Sequence, residues 1–151
     1  MDSTLAKLHE VQWRWATQDP ASQQEIERRI GERARKQGLI TYSDLVRDID
    51  FEIPSVNEGR PFRIDVHDWS ILDRAVLGDL LGYTSSRSYQ KAGFMISALV
   101  VNRDEFAPSW HFFEWMKQLD VLPDTNEQTV LAFWADQVHQ AHVWFGKHRH
   151  L

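Results

Sequence analysis

The chain has 151 residues, 22 Asp and Glu against 17 Lys and Arg, a formal net charge of −5, and no cysteine. That length suits one domain, and folding at this size hides roughly 68–70 % of the unfolded chain's surface, enough for a self-sufficient core. The missing thiol excludes a disulfide framework, a thiolate zinc site and a cysteine nucleophile, and it suits a reducing cytoplasm.

The N-terminal "MDSTLAKLHEVQWRW" has no apolar core and no cleavage-like site, so no signal peptide is expected. Helix one is predicted over Thr4–Thr17, capped by Ser3, with Leu5, Leu8, Val11 and Trp15 as its apolar stripe. Asp19 and Pro20 form a helix start, the acid as N-cap and the proline in the first turn, where its missing N–H costs nothing. Ile26, Ile30 and Ala34 recur every four residues to Gly38, a natural C-cap. Leu39 and Ile40 read as a short strand. Thr41 and Asp44 resemble a capping box for a short helix over Tyr42–Ile49. Pro54, Gly59 and Pro61 make the next stretch irregular. "FRIDVHDW" alternates weakly, as an edge strand would. Asp68 is then placed to cap a helix ending at Gly82, with Leu72, Val76 and Leu80 on one line. "YTSSRSYQKAG" is polar and small, and reads as a loop.

"FMISALVVN" is apolar on both faces and rich in branched residues, the pattern of a buried strand. It is also the longest apolar run, about eight residues, against the ~20 that span a bilayer. No membrane partner is expected. "RDEFAP" turns the chain, Ser109 caps a helix over Trp110–Leu119, and Asp124 or Thr125 caps a long last helix with Val130, Leu131, Trp134 and Val138 facing inward. The elements predict an α+β, mostly helical fold: a single domain over 1–151, with an N-terminal helical hairpin (1–38), a winged-helix-like centre (39–103) and C-terminal helices (104–151) that include a long last one.

Two stretches carry a family resemblance. "GLITYSDLVRDI", with "LGDLLGY", "ISALVVN" and "FFEW", is similar to an uncharacterised bacterial family of the approximate pattern "ITYgeLa … LG.iL … RPLLSALVVNk … PG.GFFeLA". The matching positions are Ile40, Thr41, Tyr42, Leu45, Leu77, Gly78, Leu81, Ser97–Asn102, Pro108, Phe112, Phe113 and Glu114. "GFMI" stands where that family has "RPLL", and Ser109 and His111 stand where its turn has glycines. The first stretch more weakly resembles the alkyltransferase-like winged-helix domains. Those use a cysteine in "PCHR"; with no thiolate here, alkyl transfer to the protein has no acceptor. The resemblance therefore implies a non-catalytic domain that recognises a nucleic acid or nucleotide.

The residues suited to that task lie in "YTSSRSYQKAG". Ser85, Arg87, Tyr89 and Lys91, joined by Tyr42, offer hydroxyls and cations for phosphates and rings for stacking. A basic run, Arg28, Arg29, Arg33, Arg35 and Lys36 against Glu27 and Glu32, adds to it. Ser97, Asn102 and Glu114 are candidate pocket residues, an Asn at a strand end being able to read a base edge and a Glu among aromatics being able to titrate high. A protein-interaction module of the immunity-protein, inhibitor or nucleic-acid-mimic kind is the second reading. Residues 102–137 hold seven acids and two bases, which suits a basic partner, and Trp13, Trp15, Trp69 and Trp144 near helix ends would supply anchors. The third is a small metal-dependent hydrolase or nuclease using Asp65, His67 or Glu114. Asp68 reads as a cap, and neither Asp65/His67 nor the Asp136, His139, His142, His148 and His150 set has the spacing of a full metal site. No metal or cofactor is expected, and no P-loop, GxGxxG or GxSxG motif occurs.

Overall fold

Capping side chains start most of the helices. In the computed structural model, which describes residues 2–151, α1 runs Ser3–Glu10 with the Asp2 carboxylate accepting from Thr4 N, and α2 runs Pro20–Arg35 with Asp19 accepting from Ser22 N. β1 is Ile40–Thr41. The Thr41 hydroxyl accepts from Asp44 N and opens α3, Tyr42–Val46. α4 spans Ile71–Ala92 behind a capping box in which Ser70 and Asp73 accept each other's backbone N–H. β2 is Val100–Val101, α5 Trp110–Gln118 and α6 Glu127–Lys147.

α1 stops at Glu10, short of the predicted Thr17. The reason is Asp79 on α4, whose carboxylate accepts from the backbone N–H groups of Arg14, Trp15 and Ala16. Those donors are thereby drawn out of a helix and the segment is fastened across α4. Ser70, not Asp68, caps α4. The predicted edge strand shrinks to one antiparallel bridge, Phe51 with Phe62, whose rings stack 5.5 Å apart.

The largest correction concerns residues 83–93. They are the last turns of α4, ending on Gly93 at φ 81°, a left-handed conformation that glycine adopts without a Cβ penalty. The hydroxyls that read as loop chemistry are buried and serve the next segment. Ser88 Oγ donates to Phe94 O and accepts from Ile96 N, and Ser85 Oγ accepts from Ser97 N. That next segment is buried as expected, but only Val100–Val101 is strand; Ile96–Leu99 is a 3₁₀ turn. Side chains of α6 supply two further backbone partners: Gln137 Oε1 accepts from Met95 N, and Trp134 Nε1 donates to Ala98 O.

β1 and β2 pair in parallel, Ile40 with Val100 and Thr41 with Val101. No antiparallel hairpin, the wing of a winged helix, follows α4 among the described residues. The fold is mostly helical with this one small sheet at its centre.

The main core gathers Ile26, Ile30 and Ala34 of α2, Leu45 and Val46 of α3, Val76 and Leu80 of α4, Phe51 and Ile53 between these helices, and Ile96, Leu99 and Val100. A second cluster, Leu8, Met95, Phe112, Phe113 and Met116, lies between α1, α5 and α6, and Val138 packs against both. α2 and α6 cross closely at Gly31, where a Cβ would sit 2.8 Å from the Phe145 ring. Leu131 and Leu72, predicted inward, are exposed. No helix among the described residues is long and apolar enough to cross a membrane.

Candidate functional site

The parallel pairing has a geometric consequence. It brings the start of α3 beside the end of β2, and the two face the middle of α4 and the start of α5. Between them lies a cleft of about 760 Å³, within the usual range for small-molecule sites. Ala75, Gly78 and Gly82 give it a floor on one face of α4, at helical spacing. A Cβ on Gly78 would meet no atom within 4 Å, so the helix surface is open there. One on Gly82 would strike Trp13 at 2.8 Å and reach Trp115 at 3.5 Å. Trp69, Phe112 and Trp115 wall the cleft with aromatic surface.

The polar groups lie at two depths. Ser97 is 5 % exposed, with Oγ 2.6 Å from Ser85 Oγ. Tyr42 is half-buried; its phenol oxygen accepts from Ser109 N and ties α3 to the N-cap of α5. Asn102 holds the loop after β2, its N–H donating to Ala107 O and its carbonyl accepting from Phe106 N. Its half-buried side-chain amide faces the cleft with no protein partner among the described residues. At the rim stand Arg74 and Arg103, both exposed and neither in an ion pair, and no carboxylate lines the cleft among the described residues.

The structure therefore brings Tyr42, Ser97 and Asn102 together and leaves the other predicted residues elsewhere. Glu114 lies on another face of α5, in an open hollow with Lys7, Lys117 and Asp120, and accepts from Trp110 Nε1. The predicted phosphate-contacting face is not assembled. Helical register turns Ser85 fully inward. Arg87 pairs with Glu27, which also accepts from Thr84. The Tyr89 hydroxyl donates to Asp2; burial, and then that partner, push the phenol up, while the bond from Tyr89 holds the Asp2 carboxyl below its ordinary range. Lys91 alone of that group is exposed and unpaired among the described residues.

The basic run is likewise engaged within the protein, by carboxylates or by backbone carbonyls. Arg28 bonds Glu25 and Glu32, lowering Glu25; Arg29 donates to the carbonyls of Asp44, Leu45 and Arg47; Arg33 donates to Leu39 O and Arg35 to Arg149 O. Lys36 reaches Glu32.

Asp65 accepts from His67 N in an exposed turn, His142 Nε2 lies 3.0 Å from Gly38 O, and the His148 ring stacks on Trp144. No three His, Asp or Glu side chains among the described residues gather as a metal site would need. Trp15 is buried, and Trp13, Trp69 and Trp144 are half-buried, so none is a free anchor.

Sequence reasoning missed Arg74, Arg103, Gly78 and Trp115 as cleft residues. A usable signal existed for three of them: Ala75, Gly78 and Gly82 form a small-residue line on α4 with Arg74 at its end, and Arg103 comes directly after Asn102. No family model, curated protein or solved structure matches the chain.

Proposed function

We propose that the chain is a recognition domain that binds a nucleotide, free or as one unit of a nucleic acid, in the cleft between α3, α4 and α5. The observation that carries this is the pairing of aromatic walls with two unneutralised guanidiniums in a cleft lined by no carboxylate among the described residues. Flat aromatic surface suits a base, at about 1–3 kcal/mol per stacked base. Arginine suits a phosphate, which it holds by two parallel N–H···O bonds. The net charge of −5 fits a local site better than an extended duplex-binding face, which depends on neutralising many phosphates. The order strand, helix, helix, strand from β1 to β2 keeps part of a winged-helix-like outline, without the antiparallel hairpin that makes a wing. Recognition thus rests on Tyr42, Asn102, Arg74 and Arg103, and not on Arg87 and Tyr89, which are already paired.

The test is a titration with the four ribonucleoside monophosphates and short single-stranded oligonucleotides, monitored by tryptophan fluorescence at ~50 and ~200 mM salt. Trp69 and Trp115 in the walls supply the signal. Binding should weaken with salt, and Arg74→Ala and Arg103→Ala should each reduce affinity about tenfold and lower the salt slope by about one. No response to any of these probes at the lower salt would overturn the proposal.

A second reading, a protein-interaction module, rests on Phe106 and Trp110. They are 65 % and 55 % exposed within the acidic segment 102–137. Loss of a basic protein partner on Trp110→Ala, with nucleotide binding unaffected, would establish it.

A further inference from the structure

At the cleft floor, hydrogen bonding fixes the direction of one proton. Ser85 Oγ is fully buried and accepts from Ser97 N; the one oxygen within its reach as an acceptor, among the described residues, is Ser97 Oγ at 2.6 Å. A hydroxyl has one proton to give, and a buried one left without an acceptor is costly. The Ser85 proton therefore goes to Ser97 Oγ. The Ser97 proton must then point elsewhere, and no protein atom accepts it among the described residues. Ser97 is one of the residues that line the cleft.

The second hydroxyl there has the same polarity. The Tyr42 oxygen is occupied by the N–H of Ser109, which leaves its proton without a protein acceptor among the described residues. The deep polar groups thus present two hydroxyl donors and the adaptable Asn102 amide. The charges sit at the exposed rim. A ligand that matches this gradient holds its anionic group outward and inserts a neutral end that accepts hydrogen bonds.

Building on the nucleotide reading, we infer that Ser97 is a specificity-determining residue that selects bases presenting a carbonyl oxygen, with Ser85 as the positioning residue that turns the Ser97 proton outward. An amino group at the same place would set donor against donor, and a mismatched buried polar contact of this kind costs about tenfold or more in affinity.

Inosine monophosphate and adenosine monophosphate form the deciding pair, since they differ only along one edge, carbonyl and ring N–H against amine and bare ring nitrogen, and the Ser97 variants assign the difference to the exocyclic group. The protein should bind the inosine form at least about tenfold more tightly. Ser97→Ala should bring the two affinities within about twofold, by weakening the inosine form and by relieving the donor clash with the adenosine form. Ser97→Cys keeps the shape with a weaker donor and should fall between, so it reports even if the alanine variant is unstable; a thermal melt of each variant checks the fold. Equal binding of the two nucleotides by the parent protein, or a preference that survives both substitutions, would overturn the assignment while the nucleotide proposal stands. Binding of neither would overturn the assignment, and the nucleotide proposal with it if no other nucleotide or oligonucleotide binds.

Discussion

Replacing Gly78 and Gly82 by alanine, one at a time, should move stability in opposite directions. Both lie inside a 22-residue helix, where alanine is favoured over glycine by about 0.8–1.0 kcal/mol. At position 78 the new methyl meets nothing within 4 Å, so the gain is retained and Tm should rise by about 2–4 °C. At position 82 it would lie 2.8 Å and 3.1 Å from two atoms of the Trp13 indole. That ring is itself held at 5.9 Å from the Tyr83 ring and 6.3 Å from Trp115, so it cannot step aside freely. Overpacking of this kind costs about 1–3 kcal/mol, which leaves Gly82→Ala destabilising by up to about 2 kcal/mol after the propensity gain. Urea and thermal unfolding monitored by far-ultraviolet circular dichroism would measure both. A lowered Tm for Gly78→Ala would mean that the floor of the cleft is already filled, and the ligand site would fall with it. Gly78→Leu carries the test into function: it should keep parental stability and abolish nucleotide binding.

Two further outcomes stem from the way the N-terminal third is fastened. Asp79→Ala strands three backbone donors and should cost about 2–4 kcal/mol, with proteolytic cleavage within residues 11–18 appearing before global unfolding; unchanged protease resistance would refute the clamp. Asp120 is held below the ordinary carboxylate range by its hydrogen-bonded ammonium partner Lys7 and then by Ser3, and Asp2 by the Tyr89 hydroxyl. A folded-state pKa below the unfolded one means that the folded form binds the proton less readily. The contribution is therefore complete above pH about 4 and is lost as pH falls through the depressed values. Hydrogen exchange over α1 should accelerate in that acid window, and Asp120→Asn should bring fast exchange up to neutral pH.

Much of the fold was legible because local chemistry and tertiary packing agree. The start of α2 at Asp19–Pro20, its Ile26–Ile30–Ala34 stripe and the cap at Thr41 all stand as the residue types suggest. The errors share one physical cause. A strand and a buried turn both need an apolar sequence; they differ in where the backbone finds its partners, and that information is not local. Ile96 and Ser97 find theirs in Ser88 and Ser85, so the serines that look like loop are the reason the next segment need not be sheet. Likewise Asp79 lies far along the chain from the residues whose helix it ends. At the site, Tyr42, Ser97 and Asn102 were readable as polar groups at the ends of buried elements. Glu114 misled because helix α5 is apolar on most of its circumference, and the sequence neighbours of a residue do not say which face it occupies. Arg87 misled because a cation's availability depends on its partner, here Glu27, sixty residues earlier.

The 3₁₀ turn at Ile96–Leu99 also bears on how the molecule comes together. Its backbone is satisfied from α4 before it and from α6 after it. Neither helix alone can bury that stretch without leaving polar groups stranded, so an intermediate holding only one of them gains little. Collapse of the middle of the chain must wait for its far end, as a keystone waits for both sides of its arch. A chain truncated before Gln137 should therefore lose structure in α4 as well, although α4 keeps its entire sequence.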